Sequence, residues 1–171
     1  MGFRNRHNGF FFGTGVAQYK RPPITVEIRR CERSEWSKFR KYHYLNTELN
    51  NSSQCFGAYI NNRIVGFCAV VHFPHPRNPK IKRVHRLVVL PDYQGIGIGS
   101  RLNDFVAEHF YKLGFDVRIV TSTPALVYGF KNSKRWSLIF AGQQTSRVKG
   151  LLLFNRSMSF NRMTTSWRFL G

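Results

Sequence analysis

The clearest chemistry in this sequence lies in a glycine-rich segment between a predicted strand and a predicted helix, Gln94-Gly95-Ile96-Gly97-Ile98-Gly99. Because glycine has no Cβ, the backbone at Gly97 and Gly99 can come close to an anion. The helix that follows directs unpaired N–H groups and the positive end of its dipole towards that anion. The segment therefore predicts a site for a pyrophosphate group.

The place of this loop in the chain distinguishes between cofactor classes. A dinucleotide-binding fold puts a similar loop after its first strand. Here the loop follows the fourth predicted strand, residues 82–90, which comes after an antiparallel hairpin. No Lys-Ser or Lys-Thr pair follows the glycines, and this disfavours a nucleoside-triphosphate loop. A glycine-rich turn that binds no ligand is the remaining alternative.

The elements around the loop are predicted from hydrophobic patterning. Strands are expected at residues 24–30, 54–60, 63–73, 82–90, 117–121 and 136–141, with further candidates at 151–154 and 166–170. Helices are expected from Ser34 to about Tyr44, from Ser100 to Leu113 and from Pro124 to about Lys131. Helical spacing in the second of these is carried by Leu102, Phe105, Val106, His109, Phe110 and Leu113. The order β-α-β-β-β-α-β-α-β predicts a mixed α+β sheet with helices on its faces.

The domain organisation follows from composition. The chain has 171 residues of which 42% are apolar, enough for one core. Residues 1–22 are rich in Gly, Phe, Arg and Asn without periodicity, which predicts a flexible basic N-terminal arm that ends at Pro22-Pro23. Residues 23–171 are predicted to form a single domain. Asn61-Asn62 is the predicted hairpin turn, since Asn tolerates positive φ.

The motif Gln94-x-x-Gly97-x-Gly99 resembles the Gln/Arg-x-x-Gly-x-Gly/Ala signature of the GNAT superfamily of N-acetyltransferases. The preceding Leu87-Val88-Val89-Leu90-Pro91-Asp92-Tyr93 resembles that family's strand and turn, and the element order fits over roughly residues 24–141. A narrower resemblance, to GNAT-like proteins of phages and mobile elements, rests on that turn and on Phe73-Pro74-His75-Pro76. The family resemblance implies a central mixed, mostly antiparallel sheet whose fourth and fifth strands splay into a V-shaped cleft.

The resemblance also implies a cofactor, acetyl-CoA or another acyl-CoA, in that cleft. Backbone amides around Val88 and Val89 would hold the pantetheine arm and the acyl carbonyl. The pyrophosphate would be held by the amides of Gln94, Gly95, Ile96, Gly97, Ile98 and Gly99. Polarising a thioester carbonyl with backbone N–H groups is the stabilisation that acyl transfer needs.

Two residues are candidates for proton transfer. In this family a Tyr in the helix after the fifth strand often protonates the CoA sulfur, and Tyr128 falls in that helix; the alternative is a Tyr packed beside Phe130. Many relatives carry a Glu base on the fourth strand, but this strand has none. His85 is the candidate base, because imidazole titrates near neutral pH. The alternative is a His that faces solvent or is hydrogen-bonded in place.

Other candidate sites are weaker. His72 and His75 flank Pro74, but two His residues without a clear carboxylate do not predict a metal site. The segment His43-Tyr44-Leu45 ends the first predicted helix, where such proteins line the acceptor side, so a substrate contact and ordinary packing are both open.

The charge balance predicts a polyanionic partner. Lys and Arg total 27 against 8 acidic residues, for a net charge of +19 and a pI near 10.8. One cofactor does not need so many cations, so nucleic acid, or a protein bound to it, is the expected second partner. The alternative is a basic surface that is only solvated. Cations stand near aromatic residues, as suits phosphate contact and base stacking, at Arg77, Lys80, Lys82, Arg83, Arg86, Lys131, Lys134, Arg135, Arg147, Lys149, Arg156, Arg162 and Arg168.

Cysteine usage and apolar runs indicate the compartment. Cys31, Cys55 and Cys68 fit no metal spacing, and an odd number argues against a disulfide framework. Reduced, mostly buried thiols and a cytoplasmic protein are expected. No apolar run has transmembrane length, and no signal-peptide pattern is visible.

Three functions are compatible with these patterns. The first is an N-acetyltransferase that uses acetyl-CoA and an amine on nucleic acid, on a protein Lys or on a small molecule. The second is an enzyme of the same fold that modifies nucleobases in DNA, like phage Mom-type proteins. The third is a non-catalytic module that binds nucleic acid through its basic surface. The intact glycine loop favours the first function, and the missing Glu on the fourth strand keeps the third open.

Overall fold

The computed structural model describes residues 24–42, 48–143 and 163–171. The predicted N-terminal arm, the segment His43-Tyr44-Leu45 and the candidate strand at 151–154 lie outside the described residues. So do four of the basic residues singled out above, Arg147, Lys149, Arg156 and Arg162.

A seven-stranded sheet forms the centre of the described fold, in the order β1-β2-β3-β4-β5-β7-β6. Its strands are β1 (Glu27–Arg30), β2 (Gln54–Ile60), β3 (Arg63–His72), β4 (Ile81–Val89), β5 (Asp116–Thr121), β6 (Trp136–Gln143) and β7 (Met163–Phe169). Its α-helices are α1 (Ile98–Lys112) and α2 (Pro124–Lys131). Neighbouring strands are antiparallel except β4 and β5, which are parallel. The predicted mixed, mostly antiparallel α+β architecture is confirmed.

The predicted first α-helix is wrong. From Arg33 to Lys38 and from Arg40 to Tyr42 the chain forms 3₁₀ turns instead. The buried residues Trp36 and Phe39 are three positions apart, which is one turn of a 3₁₀-helix. Both rings pack on Phe67 of β3, with centroid distances of 5.4 and 5.6 Å. Trp36 and Phe39 therefore cover this face of the sheet from 3₁₀ turns, without an α-helix.

The opposite face is covered by α1. Leu102, Val106 and Phe110 are buried in the core cluster, as predicted. Phe105 and Leu113 were predicted to lie on the same side, but they are 46% and 60% exposed. The fully buried positions of the helix include the polar residue Asn103 instead.

The parallel strands β4 and β5 part midway along the sheet. Their register runs from Ile81 opposite Asp116 to Val84 opposite Ile119, and no described pair follows. Beyond that point β4 continues to Val89, while the end of β5 pairs only with β7. The predicted splay of the fourth and fifth strands is therefore present as a gap that opens towards the end of β4.

A β-bulge lies where this gap begins. Ala69 of β3 pairs with Arg86, but the next residue, Val70, pairs with Val84. His85 is thus an extra residue in β4, and such a residue bends its strand and increases the local twist. The bulge comes directly after Val84, the last described residue of β4 that pairs with β5.

Candidate active site

The glycine loop joins the end of β4 to the start of α1. Pro91–Tyr93 forms a single 3₁₀ turn, and Gly95 and Gly97 follow with φ of +79° and +86°. Gly97 is the N-cap of α1, and no side chain of the described residues caps the helix there. The N–H of Arg101 donates to the Gly97 carbonyl at 3.1 Å, which is the first bond of the helix. The N–H groups of the intervening residues therefore lack acceptors within the helix and point out of its positive end.

The glycines of the loop differ in backbone conformation and in surroundings. Gly95 and Gly97 have the left-handed backbone conformation, which favours glycine. A Cβ at either position would meet no atom within 4 Å, so there is open space around this part of the loop. A Cβ at Gly99 would lie 3.4 Å from Cγ2 of Val89, an ordinary contact. The loop therefore combines exposed N–H groups with unoccupied room, as an anion site requires.

Gln94 holds the loop against the strand. Its Nε2 donates to the carbonyl of Val89 at 2.8 Å, and its backbone N–H donates to the carbonyl of Pro91 at 3.1 Å. The backbone N–H of Gln94, one of the predicted pyrophosphate contacts, therefore already donates a hydrogen bond within the loop.

The backbone of β4 presents alternate residues to the gap. Leu90 donates its N–H to the carbonyl of Val65 on β3 at 2.9 Å. In an antiparallel ladder such bonded positions alternate, so Val88 opposite Phe67 directs its N–H to β3 as well. The N–H of Val89 therefore points away from β3, towards the gap left by β5. Of the predicted pair Val88 and Val89, the geometry favours Val89 as the donor to a ligand.

Tyr128 projects into solvent from α2. It is 73% exposed, whereas Phe130 on the other side of the helix is 3% exposed and belongs to the core. The alternative in which Tyr128 packs beside Phe130 is therefore wrong. The helix that carries it follows β5, the strand that borders the gap.

His85 and Arg86 form a contact at the bulge. Arg86 donates from Nη1 to the His85 carbonyl at 2.9 Å and from Nη2 to the Glu48 carbonyl at 2.8 Å. The same Nη1 lies 3.4 Å from Nδ1 of the half-buried His85. Burial lowers the pKa of Arg86, which is only 8% exposed, although a guanidinium stays protonated in proteins. The sequence pattern places Arg86 among the surface cations and contains no signal of its burial.

A cavity of about 580 Å³ lies on the face that carries the 3₁₀ turns. It has a basic and aromatic lining near the end of β4, which includes Lys38, Lys41, Tyr42, Tyr59, Arg63 and Leu90. Lys38 is paired with Glu35 at 2.7 Å. A second cavity of about 520 Å³ lies near the start of β5, beside Asp116. The loop residues 94–99 line neither cavity.

Thiols and histidines complete the inventory of reactive groups. Cys55 and Cys68 are buried, Cys31 is half-buried and all are free, as predicted. Burial raises the pKa of the Cys31 thiol to about 12. His75 accepts the N–H of Arg77 at 3.2 Å. The described part of the chain contains no group of three or more metal-ligating side chains.

None of the helices in the described residues is long and apolar enough to cross a membrane.

The sequence matches the acetyltransferase (GNAT) family over residues 22–126. The chain belongs to this family. A comparison with curated proteins finds no match. The match covers the glycine loop, both strands that border the gap and the start of α2.

Solved structures share the fold at low sequence identity. The ribosomal-protein-S18-alanine N-acetyltransferase of Escherichia coli is 11% identical with a TM-score of 0.61, over 84% of this chain and 92% of that one. A Bacillus subtilis acetyltransferase in complex with CoA is 13% identical with a TM-score of 0.60, over 87% and 100%. A streptothricin-acetyltransferase-like protein of Bacillus anthracis in complex with acetyl coenzyme A is 13% identical with a TM-score of 0.57, over 85% and 98%. These similarities show the GNAT fold of this chain.

Proposed function

We propose that this GNAT-family chain transfers an acetyl group from acetyl-CoA to an amine. The observation that carries the proposal is the gap between β4 and β5, which opens beside the uncapped N-terminus of α1. A long ligand with phosphates at one end could lie along this gap with its phosphates at the helix. Relatives of the same fold have been solved with CoA and with acetyl coenzyme A, which supports the choice of donor.

Different residues of this chain would bind the cofactor and transfer the protons. Acetyl-CoA supplies the acetyl group as a thioester. The N–H groups from Gly95 to Gly99 would bind its pyrophosphate, and the N–H of Val89 would stabilise negative charge on the thioester oxygen. Tyr128 would donate its phenolic proton to the leaving sulfur, and its exposure is compatible with reaching a ligand in the gap. His85 would accept a proton from the amine at the bulge, where the imidazole is half-buried.

Isothermal titration calorimetry of the full chain with acetyl-CoA tests this function. The wild type should bind, and Gly97→Glu should abolish binding because it places a bulky anion among the N–H groups of the loop. A wild type that binds no acetyl-CoA would exclude the proposed reaction. Release of free CoA thiol in the presence of amines then separates transfer from binding alone.

We propose further that the acceptor amine lies on a polyanion, either nucleic acid or a protein bound to it. Support comes from the net charge of +19 and from the cavity that Lys41 and Arg63 line together with Tyr42. Cations beside an exposed aromatic ring suit phosphate contact and base stacking. Comparing proteins and nucleic acids by mass spectrometry, from cells with the wild type and with Gly97→Glu, would identify the acceptor. Acetylation confined to free small amines would exclude a polyanionic acceptor.

A non-catalytic nucleic-acid-binding module is the second candidate. It is favoured by the absence of a carboxylate from β4, whose sequence is Ile-Lys-Arg-Val-His-Arg-Leu-Val-Val. In that case the chain would bind duplex DNA and would release no CoA thiol with any amine acceptor. A nucleobase-modifying enzyme would be recognised by altered bases that carry no acetyl group.

A further inference from the structure

Three arginines lie side by side on the face of the sheet opposite α1 and α2. Arg83 of β4 is paired with Arg118 of β5, and Arg118 is paired with Arg168 of β7. A chain neighbour of each arginine belongs to the core cluster that α1 and α2 cover, namely Val84, Ile119 and Trp167. Because side chains alternate between the faces of a strand, the arginines point to the opposite face, called the open face below. Together they form the arginine row.

The arginine row carries more positive charge than the chain compensates. Asp116 forms ion pairs with Arg118 at 2.7 Å and with Arg168 at 3.0 Å. All eight acidic residues of the chain lie among the described residues, and none forms an ion pair with Arg83. Arg83 lies over the ring of Phe73 instead, 4.8 Å from its centroid, and burial lowers its pKa. Like charges on neighbouring strands destabilise a sheet, so a further anion would stabilise the row.

The row can be reached from solvent. The side chains of Arg118 and Arg168 are 27% and 53% exposed, and Arg83 is half-buried. The three backbones are about 5 Å apart, which is the spacing of neighbouring strands. An extended anion could therefore contact more than one guanidinium group.

An exposed aromatic ring lies next to the row on the same face. Ser166 of β7 is paired with Val120 on one side and with Phe140 on the other, and these two residues are 43% and 60% exposed. The ring of Phe140 lies over the backbone of Gly142, where a Cβ would collide with it. One side of the ring rests on the sheet, and the exposed side is available for stacking. Phe140 is two residues along the strands from the level of Arg168, a distance of about 7 Å.

The open face also carries the candidate base. Val84 is the last residue of β4 that pairs with β5, and alternation directs the next residue, His85, to the open face. The helix α1, whose N-terminus would bind the phosphates of acetyl-CoA, packs on the other face. An acceptor on the open face would thus reach the thioester from the side away from the pyrophosphate.

We propose that the acceptor is a single-stranded nucleic acid whose phosphates bind the arginine row and one of whose bases stacks on Phe140. This inference rests on the proposed function and narrows its acceptor. Guanidinium groups bind phosphate oxygens through paired hydrogen bonds, and an aromatic ring stacks on any base. A duplex keeps its base faces within its own stack, so the exposed ring favours a single strand.

The acetyl group would pass to an amino group of a neighbouring base beside His85. The new C–N bond would form as the C–S bond of the thioester breaks. His85 would take the proton from the amine, and the leaving thiolate would take the phenolic proton of Tyr128.

Fluorescence anisotropy with a labelled single-stranded oligodeoxyadenylate tests the site on the full chain without acetyl-CoA. Arg83→Gln and Arg168→Gln should each weaken binding about tenfold. Each should also reduce the slope of log affinity against log salt by about 0.7, the value for one phosphate contact on a single strand. Phe140→Leu should weaken binding about tenfold through lost stacking and leave the salt slope unchanged. Lys112→Gln removes an exposed cation of α1 on the other side of the sheet and should change neither quantity.

The outcomes separate this inference from the function on which it rests. Arginine variants that behave like Lys112→Gln would show that the row binds no phosphate. Phe140→Leu that binds as tightly as the wild type, or a wild type that prefers duplex to single strand, would exclude the single-stranded acceptor. No binding of the oligonucleotide by the wild type at low salt would overturn the inference as well.

Calorimetry with acetyl-CoA completes the comparison. All four variants should bind acetyl-CoA as the wild type does, because none of the substituted residues lies in the glycine loop or in the part of β4 that borders the gap. A wild type that binds no acetyl-CoA would refute acetyl transfer whatever the oligonucleotide result. Arg168 and Phe140 are exposed, so their variants should keep the fold, which thermal unfolding checks.

Discussion

Replacing Gly97 with alanine should weaken acetyl-CoA binding more than any change in the stability of the fold explains. Gly97 has a φ of +86°, a conformation that costs an L-residue about 1–2 kcal/mol. A Cβ at this position would meet no atom within 4 Å, so the backbone conformation is the only source of that cost. For a chain of 171 residues, the thermal midpoint should fall by roughly 2–8 °C.

The chain offers a matched control at the other end of α1. Gly114 has a φ of +80°, is exposed, and a Cβ there would also meet nothing within 4 Å. Gly114→Ala should therefore reduce the thermal midpoint by a similar amount. Because Gly114 lies far along the helix from the N–H groups of the loop, its substitution should leave the dissociation constant of acetyl-CoA unchanged.

The effect of Gly97→Ala on binding follows from the N–H groups that the loop directs outwards. Relief of the strain rotates the peptide units on both sides of Gly97 and turns at least one N–H away from the pyrophosphate. A hydrogen bond to a charged group contributes about 1.5–3 kcal/mol, so affinity should fall by about 10- to 150-fold. Calorimetry with acetyl-CoA and thermal unfolding should be run on both variants. Equal dissociation constants for the two variants would refute the assignment of the loop as the pyrophosphate site.

Further expectations concern single side chains and ionic conditions. Tyr128→Phe should lower the turnover number but not the affinity for acetyl-CoA. Tyr111→Phe, the control at another exposed tyrosine, should change neither. A turnover number of Tyr128→Phe equal to that of the wild type would exclude Tyr128 as the proton donor. Arg86→Gln should destabilise the fold by about 2–4 kcal/mol in a denaturant titration, because the carbonyls of His85 and Glu48 lose a charged donor. The loss should exceed that of Arg83→Gln. The pKa of Cys31 is raised from 9.0 to about 12, so its stabilising contribution is present below pH 9 and is lost as pH rises towards 12. Cys31→Ser should therefore lose less stability than the wild type as the pH rises from 9.0 towards about 12. Binding to duplex DNA should weaken steeply in a salt series, and no binding at low salt would discard nucleic acid as a partner.

The strand, turn and glycine loop from Leu87 to Gly99 were predictable because their signals are local. The motif from Leu87 to Gly99 combines an apolar strand, a turn and left-handed glycines, and each follows from backbone rules that act over a few residues. The hairpin at Asn61-Asn62 was predictable for the same reason, and both residues have positive φ as expected. The parting of β4 and β5 was expected only through the family resemblance, since strand pairing depends on residues far apart in the chain.

Other features depend on tertiary contacts and could not be predicted from the sequence. The apolar residues Phe105 and Leu113 suggested one face for α1, but the sheet buries a face that includes Asn103. Hydrophobic periodicity averages over a helix and cannot reveal a single buried amide. The bulge at His85 arises from a register shift against β3, and no local pattern marks it. The first helix failed because Trp36 and Phe39 satisfy 3₁₀ spacing as well as α-helical spacing.

The gap between β4 and β5 gives this sheet an internal edge. Sheet edges normally lie at the periphery, where they are protected from pairing with other chains. Here an edge lies in the middle: β4 and β5 share four paired positions near their starts, and α1 packs against strands on both sides of the gap. A ligand in the gap would contact both half-sheets, β1–β4 on one side and β5, β7 and β6 on the other, as a short extra strand would. Its binding energy would then add directly to the stability of the folded state, so slowed amide hydrogen exchange should spread beyond the gap into both half-sheets.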